Sequence, residues 1–203
     1  MLLNRGRPQQ PPRSVYGAPW HRYTPRHMKQ LIAICAIGND RTGLVFDLTR
    51  VVVDCGGSVQ ESRMTALGNE FAMLLLVAGN WHTLAKLEGE LQKLAESAGL
   101  TITVRRTEPR PARSDFVTYT VDVVCLDQPG VLHQLAGFFS SRGIDIGDIS
   151  TRTYAAAHTG APMFSVYMTI LVPTRIHIAA LREDFMDLCD HLNLDAILEP
   201  FKS

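Results

Sequence analysis

Asn39-Asp40-Arg41-Thr42-Gly43-Leu44-Val45 follows one apolar run, and Leu126-Asp127-Gln128-Pro129-Gly130-Val131-Leu132 follows another. These two stretches decide the fold, because everything around them also occurs twice. Asp40 and Asp127 correspond, as do Gly43 and Gly130, each pair 87 residues apart. Gly56 and Gly143 keep the same offset of 87. A fixed offset marks an internal repeat, which has to be read before any single element.

Upstream of each loop lies a strand-like run, Leu31-Ile32-Ala33-Ile34-Cys35-Ala36-Ile37 and Tyr119-Thr120-Val121-Asp122-Val123-Val124-Cys125. Downstream the apolar spacing turns helical: Leu44, Leu48, Val51, Val52, then Val131, Leu135, Phe138, Phe139. Each helix runs into a glycine break, Cys55-Gly56-Gly57 and Arg142-Gly143, suited to a C-terminal cap. Two strands follow in each copy, over 58–66 and 70–79, then over 145–155 and 162–172. A second helix closes each copy, through Leu84, Leu87, Leu91, Leu94 and, 94 residues on, Ile178, Leu181, Phe185, Leu188. The offset grows because the second hairpin loop, Ala156–Ala161, is longer. Final strands read over 101–104 and 196–198.

Each copy is therefore β-α-β-β-α-β, an α+β unit with an antiparallel four-stranded sheet and two helices on one face, the ferredoxin-like order. The expected organisation is a first unit over 29–107, a linker over 108–115 and a second unit over 116–203, preceded by a tail over 1–28. Residues 1–27 hold five arginines, five prolines and no acidic residue. No apolar periodicity survives there, so a mobile basic tail is expected, or a start of translation at Met28.

The chain has 203 residues, with 20 Lys+Arg against 20 Asp+Glu. Zero net charge excludes a surface that is a phosphate-binding field throughout. Without the tail, residues 28–203 carry 15 basic and 20 acidic residues, which disfavours direct DNA binding further. No apolar run reaches the ~20 residues needed to span a bilayer. Four scattered cysteines (Cys35, Cys55, Cys125, Cys189) form no Cys-x-x-Cys pair and read as reduced thiols. Gly-x-Ser-x-Gly, a P-loop and His-Glu-x-x-His are absent, so no enzyme activity and no cofactor are expected. His133 on a first helical turn, the pair Asp187 and His191, and His158 in the hairpin loop read as exposed side chains.

The loops carry the chemistry. Glycine lets backbone approach closely at a helix start, and the Asp/Thr or Asp/Pro ahead of it caps or pre-forms the first turn. Free N–H groups and the helix dipole favour a small carboxylate, and the nearby Asp accepts from an ammonium. The plainer reading is that Asp40 and Asp127 only cap helices.

Both loops, with Gly56-Gly57-Ser58-Val59 and Gly143-Ile144-Asp145-Ile146 opening the second strands, resemble tandem ACT domains. That family's pattern is Asp-x-Pro-Gly-hydrophobic after strand one and Gly-x-Asn-Ile before strand two. Thr42 departs from it at the proline, and Ser58 and Asp145 at the asparagine. The resemblance implies binding of a small amino acid. The implied contacts are Asn39, Asp40, Thr42, Gly43, Leu44 and Ser58 in the first copy, and Asp127, Gln128, Gly130, Val131 and Asp145 in the second. The chain is most similar to the glycine cleavage repressor family. This implies a cytoplasmic regulator that restrains a DNA-bound transcriptional activator by protein contact, with glycine relieving the restraint. Two other readings stay open: a stand-alone regulatory subunit of an amino-acid metabolic enzyme, and an interaction scaffold without ligand. A homo-oligomer fits any of the three.

Overall fold

The computed structural model describes residues 30–111 and 114–202. The tail expected over 1–28 lies outside the described residues, as do positions 112 and 113 of the expected linker. The chain divides into two compact units between Arg110 and Pro111. The first unit runs β1 (Gln30–Asn39), α1 (Leu44–Asp54), β2 (Ser58–Leu67), β3 (Glu70–Gly79), α2 (Trp81–Ala98) and β4 (Thr101–Thr107). The second runs β5 (Phe116–Leu126), α3 (Val131–Ser141), β6 (Asp145–Ala155), β7 (Pro162–Pro173), α4 (Ile178–Leu192) and β8 (Asp195–Pro200). Both sheets are antiparallel, ordered β2-β3-β1-β4 and β6-β7-β5-β8. The tandem ferredoxin-like reading is therefore correct.

The period of two separates the faces of each sheet. Ile32, Ile34 and Ala36 of β1 and Phe71, Met73, Leu75 and Val77 of β3 are buried against the helices. Leu48, Leu84, Leu87 and Leu91 meet them from α1 and α2. The second core is built on aromatics instead. Phe138 and Phe139 of α3 lie 5.6 Å from Phe185 of α4, centroid to centroid. Arg142 sits 3.8 Å above the Phe138 ring, and its Nη2 donates to Asp184 Oδ2 at 2.8 Å, tying α3 to α4.

Among the described residues, neither sheet has a helix of its own unit on the opposite face. In the first sheet, register places Leu31, Ala33, Cys35 and Ile37 of β1 beside Ala72, Leu74 and Leu76 of β3, an apolar block. In the second, the matching positions include Thr120, Asp122 and Val124 of β5 beside Ser165, Tyr167 and Thr169 of β7, a mostly polar surface. The outer strands β2 and β6 each carry an extra residue, Gln60 and Gly147, at the same place in the repeat. Such bulges sharpen local twist at a sheet edge.

The helix stops follow the glycine breaks. Gly56 (φ 77°) and Gly143 (φ 67°) adopt the left-handed conformation that other residues avoid. Gly56 N–H donates to Val53 O and Gly57 N–H to Val52 O, both at 2.8 Å. Gly143 N–H to Ser140 O and Ile144 N–H to Phe139 O repeat the pattern. This paired arrangement satisfies carbonyls that the helix end would leave open.

The helix starts correct one expectation. Gly43 (φ 95°) and Gly130 (φ 90°) are themselves the N-cap residues, and no side chain caps α1 or α3. Asp40, Thr42 and Asp127 lie ahead of the cap, so their oxygens do not meet the first-turn N–H groups. A genuine side-chain cap occurs on α2, where Asn80 Oδ1 accepts from Thr83 N–H at 2.9 Å.

Candidate functional site

β1 rises to the loop 40–43, α1 descends, and β2 rises again beside the same end of the sheet. One end of the unit thus gathers the β1–α1 loop and the β2–β3 turn. Asp40 N–H donates to Asn69 O at 2.9 Å, fastening one to the other. The second unit repeats this with Asp127 N–H to Pro162 O at 2.9 Å.

At the first loop these elements frame a cavity of about 510 Å³ lined by Asp40, Arg41, Gly43, Leu44, Val45, Phe46, Thr49, Met64 and Phe71. Its polar end is the loop. Among the described residues, the exposed Asp40 carboxylate has no ion-pair or hydrogen-bond partner. Arg41 is committed: Nη2 lies 2.9 Å from Asp47 Oδ2 and Nη1 donates to Thr42 O at 3.2 Å. Asp47 also holds Arg50 at 3.4 Å. The first intrahelical bond runs from Asp47 N–H to Gly43 O at 2.9 Å, so the N–H groups of 44–46 start the helix without an intrahelical acceptor. That end of α1 favours an anion, and Asp40 beside it favours a cation. The far wall, with Phe46, Met64 and Phe71, is apolar.

The sequence-derived contacts divide accordingly. Asp40, Gly43 and Leu44 line the cavity; Leu44 is 1% exposed, so its side chain belongs to the core. Val131, its counterpart, is equally a core residue at 4% exposed. Asn39 ends β1 opposite Glu70, and Thr42 is exposed in the loop. Ser58 stands apart: it pairs with Ala78, which pairs with Leu31 at the far end of β1. The Ser58 hydroxyl accepts from Gln60 Nε2 at 3.1 Å. Asp145 is placed likewise, opposite Leu171 and away from the second loop. Within a unit, neither residue shares a site with its loop. In that loop Asp127 and Gly130 remain exposed, whereas Gln128 Nε2 donates to Leu192 O at 3.1 Å and secures the end of α4.

Sequence reasoning missed Arg41, Phe46, Met64 and Phe71. Arg41 was legible only as a neighbour of Asp40. The other three come from three elements that only the folded register brings together.

His133, His158, Asp187 and His191 are exposed. Among the described residues no group of three His, Cys, Asp or Glu side chains is placed to hold a metal. No helix among them is long and apolar enough to cross a membrane. Burial pushes the Cys55 and Cys125 thiols up, and that of Cys189 up to about 11, so these three are poor nucleophiles.

Comparison with known proteins adds four findings. Residues 30–105 match the ACT domain family. The glycine cleavage system transcriptional repressor of Escherichia coli (strain K12) is 30% identical over 164 residues, covering 80% of this chain and 85% of the relative. A crystal structure attributed to a glycine cleavage system transcriptional repressor superposes with a TM-score of 0.68 at 26% identity, covering 87% of this chain and 99% of that one. A crystal structure of a protein from Galdieria sulphuraria shares the fold, with a TM-score of 0.71 at 23% identity over 86% of this chain and 99% of that one.

Proposed function

Because the chain belongs to the glycine cleavage system transcriptional repressor family and is built of tandem ACT-type units, we propose that it is an amino-acid-responsive regulator of transcription. It acts in the cytoplasm by contact with a DNA-bound activator and without enzyme activity. The observation that carries the reading is the first loop. There a carboxylate unpaired among the described residues, Asp40, lies beside a helix start whose N-cap is a left-handed glycine and whose first N–H groups lack intrahelical acceptors. The two ends of an amino-acid zwitterion match that pair: ammonium to Asp40, carboxylate to the start of α1. Glycine as the signal follows from the family's name, and glycine carries the two groups this polar end receives.

Among the described residues every helix is used in packing its own sheet, which leaves none of them to enter a DNA groove. Regulation therefore runs through linkage. The amino acid shifts partner affinity only by its different affinity for the free and partner-bound states.

Calorimetric titration of the full chain with glycine, then with serine, threonine and the remaining amino acids, tests the site. Saturable binding that weakens at least tenfold in Asp40→Ala, with the fold retained, is the expected result. A well-folded chain that binds none of them removes the sensor and leaves only the family fold.

A further inference from the structure

The helix-free face of the first sheet is apolar at its centre and exposed, with Leu74 52% and Ile37 45% accessible. An apolar sheet face of this kind is a docking surface. We propose that a second copy of this chain covers it, sheet face to sheet face, about a two-fold axis running across the strands.

Three observations commit the face to its own copy. The first is charge. Two successive cross-strand rows read Glu61–Leu76–Ala33–Arg105 and Arg63–Leu74–Cys35–Thr103. An axis midway between those rows lays Leu74 on the partner's Leu76 and Glu61 on the partner's Arg63. Within one copy Glu61 and Arg63 already lie 3.5 Å apart at the rim, exposed on β2. The two-fold doubles this into an alternating four-charge cluster with no like charges opposed. A neutral or single-signed rim would not be self-complementary in this way.

The second is area. Four strands spaced about 4.8 Å and four rows spaced about 6.8 Å make a face of about 500 Å² per copy. Two copies bury about 1,000 Å², the size of a weak, reversible interface rather than an obligate one. The third is shape. Sheets pack face to face at about 10 Å with interdigitating side chains. Here Leu74 meets the partner's Leu76 on the same strand of the other copy, and the small flanking residues Ala33, Cys35 and Ala72 let the two side chains lean past each other.

Cys35 lies inside this face and reports on it, because the other three cysteines are buried. The test uses the full chain over 1–200 µM protein, with sedimentation for mass and maleimide labelling of Cys35 for the face. The expected result is a monomer–dimer equilibrium in which the labelling rate of Cys35 falls as dimer forms. Leu74→Glu, at an exposed position, is monomeric, and its Cys35 labels quickly at every concentration. Glu61→Lys weakens the dimer, and Glu61→Lys with Arg63→Glu restores it. A chain that stays monomeric throughout overturns the proposal. So does a dimer that persists in Leu74→Glu, or Cys35 labelling that is independent of protein concentration.

Discussion

Two glycines of one helix are expected to respond to alanine with opposite signs. Gly130 is the N-cap of α3 at φ 90° and ψ −5°, and a Cβ there meets nothing within 4 Å. The penalty for Gly130→Ala is thus one of backbone conformation alone, about 1–2 kcal/mol for an L-residue held left-handed. Alanine also narrows the unfolded ensemble, which returns about 0.4–1 kcal/mol. The net expectation is a destabilisation of about 1 kcal/mol. Gly137 lies in the interior of the same helix, exposed, and its added Cβ also meets nothing within 4 Å. Gly137→Ala therefore stabilises by about 0.8–1 kcal/mol, the helix-propensity difference. The two variants stand about 2 kcal/mol apart, roughly a thirtyfold difference in folded-to-unfolded ratio. Native-state hydrogen exchange on peptides covering 131–141 reads this unit by itself, which global melting of a two-unit chain does not. Gly130→Asn should fall between parent and Gly130→Ala, because asparagine tolerates the left-handed region. A Gly130→Ala protein as stable as the parent would refute the reasoning, since the added Cβ meets nothing and only the left-handed φ is left to oppose it.

Two further outcomes follow from the second core. Phe185→Ala removes a fully buried ring that contacts Phe138 and Phe139, and urea unfolding should show a loss of about 3–5 kcal/mol in that unit. Cys189, 0% exposed, has its thiol raised by burial, and secondarily by Asp190, from 9.0 to about 11. The unfolded chain then loses this proton first as pH rises. Its contribution to stability is complete below about pH 9 and declines between about pH 9 and 11, by about 2–3 kcal/mol. Cys189→Ala should flatten that part of the pH profile relative to the parent, measured by urea midpoints from pH 8 to 11.

The repeat was legible because its spacing is a covalent property. The offset of 87 between Gly43 and Gly130 survives any amount of side-chain divergence, and Gly56 with Gly143 fixes where both helices stop. The helix starts were half legible. Asp-x-x-Gly announces a turn, but whether Asp or Gly becomes the N-cap depends on φ at the glycine, which composition does not set. The family pattern names Ser58 and Asp145 as ligand contacts without saying where within a unit they lie. Chain direction puts them away from the loops: α1 and α3 carry the chain back the length of the sheet before β2 and β6 begin. The apolar wall of the first cavity was illegible, because Phe46, Met64 and Phe71 come from a helix and two strands. Gln128 resembled a free ligand group, and only the position of Leu192 in space shows it occupied.

The pleat has a consequence for how two copies of one unit diverge. Residues 121 and 123 point into a core that tolerates little change, while 120, 122 and 124 point away from it. The alternation acts as insulation between a conservative side and an inventive one. Substitutions at Leu74 or Tyr167 can redraw what a unit meets outside without disturbing what it packs inside. The apolar face of one sheet and the polar face of the other are two drafts written on the same backbone. Mutational tolerance along these strands should therefore alternate residue by residue, with selection for partners acting on one parity and selection for folding on the other.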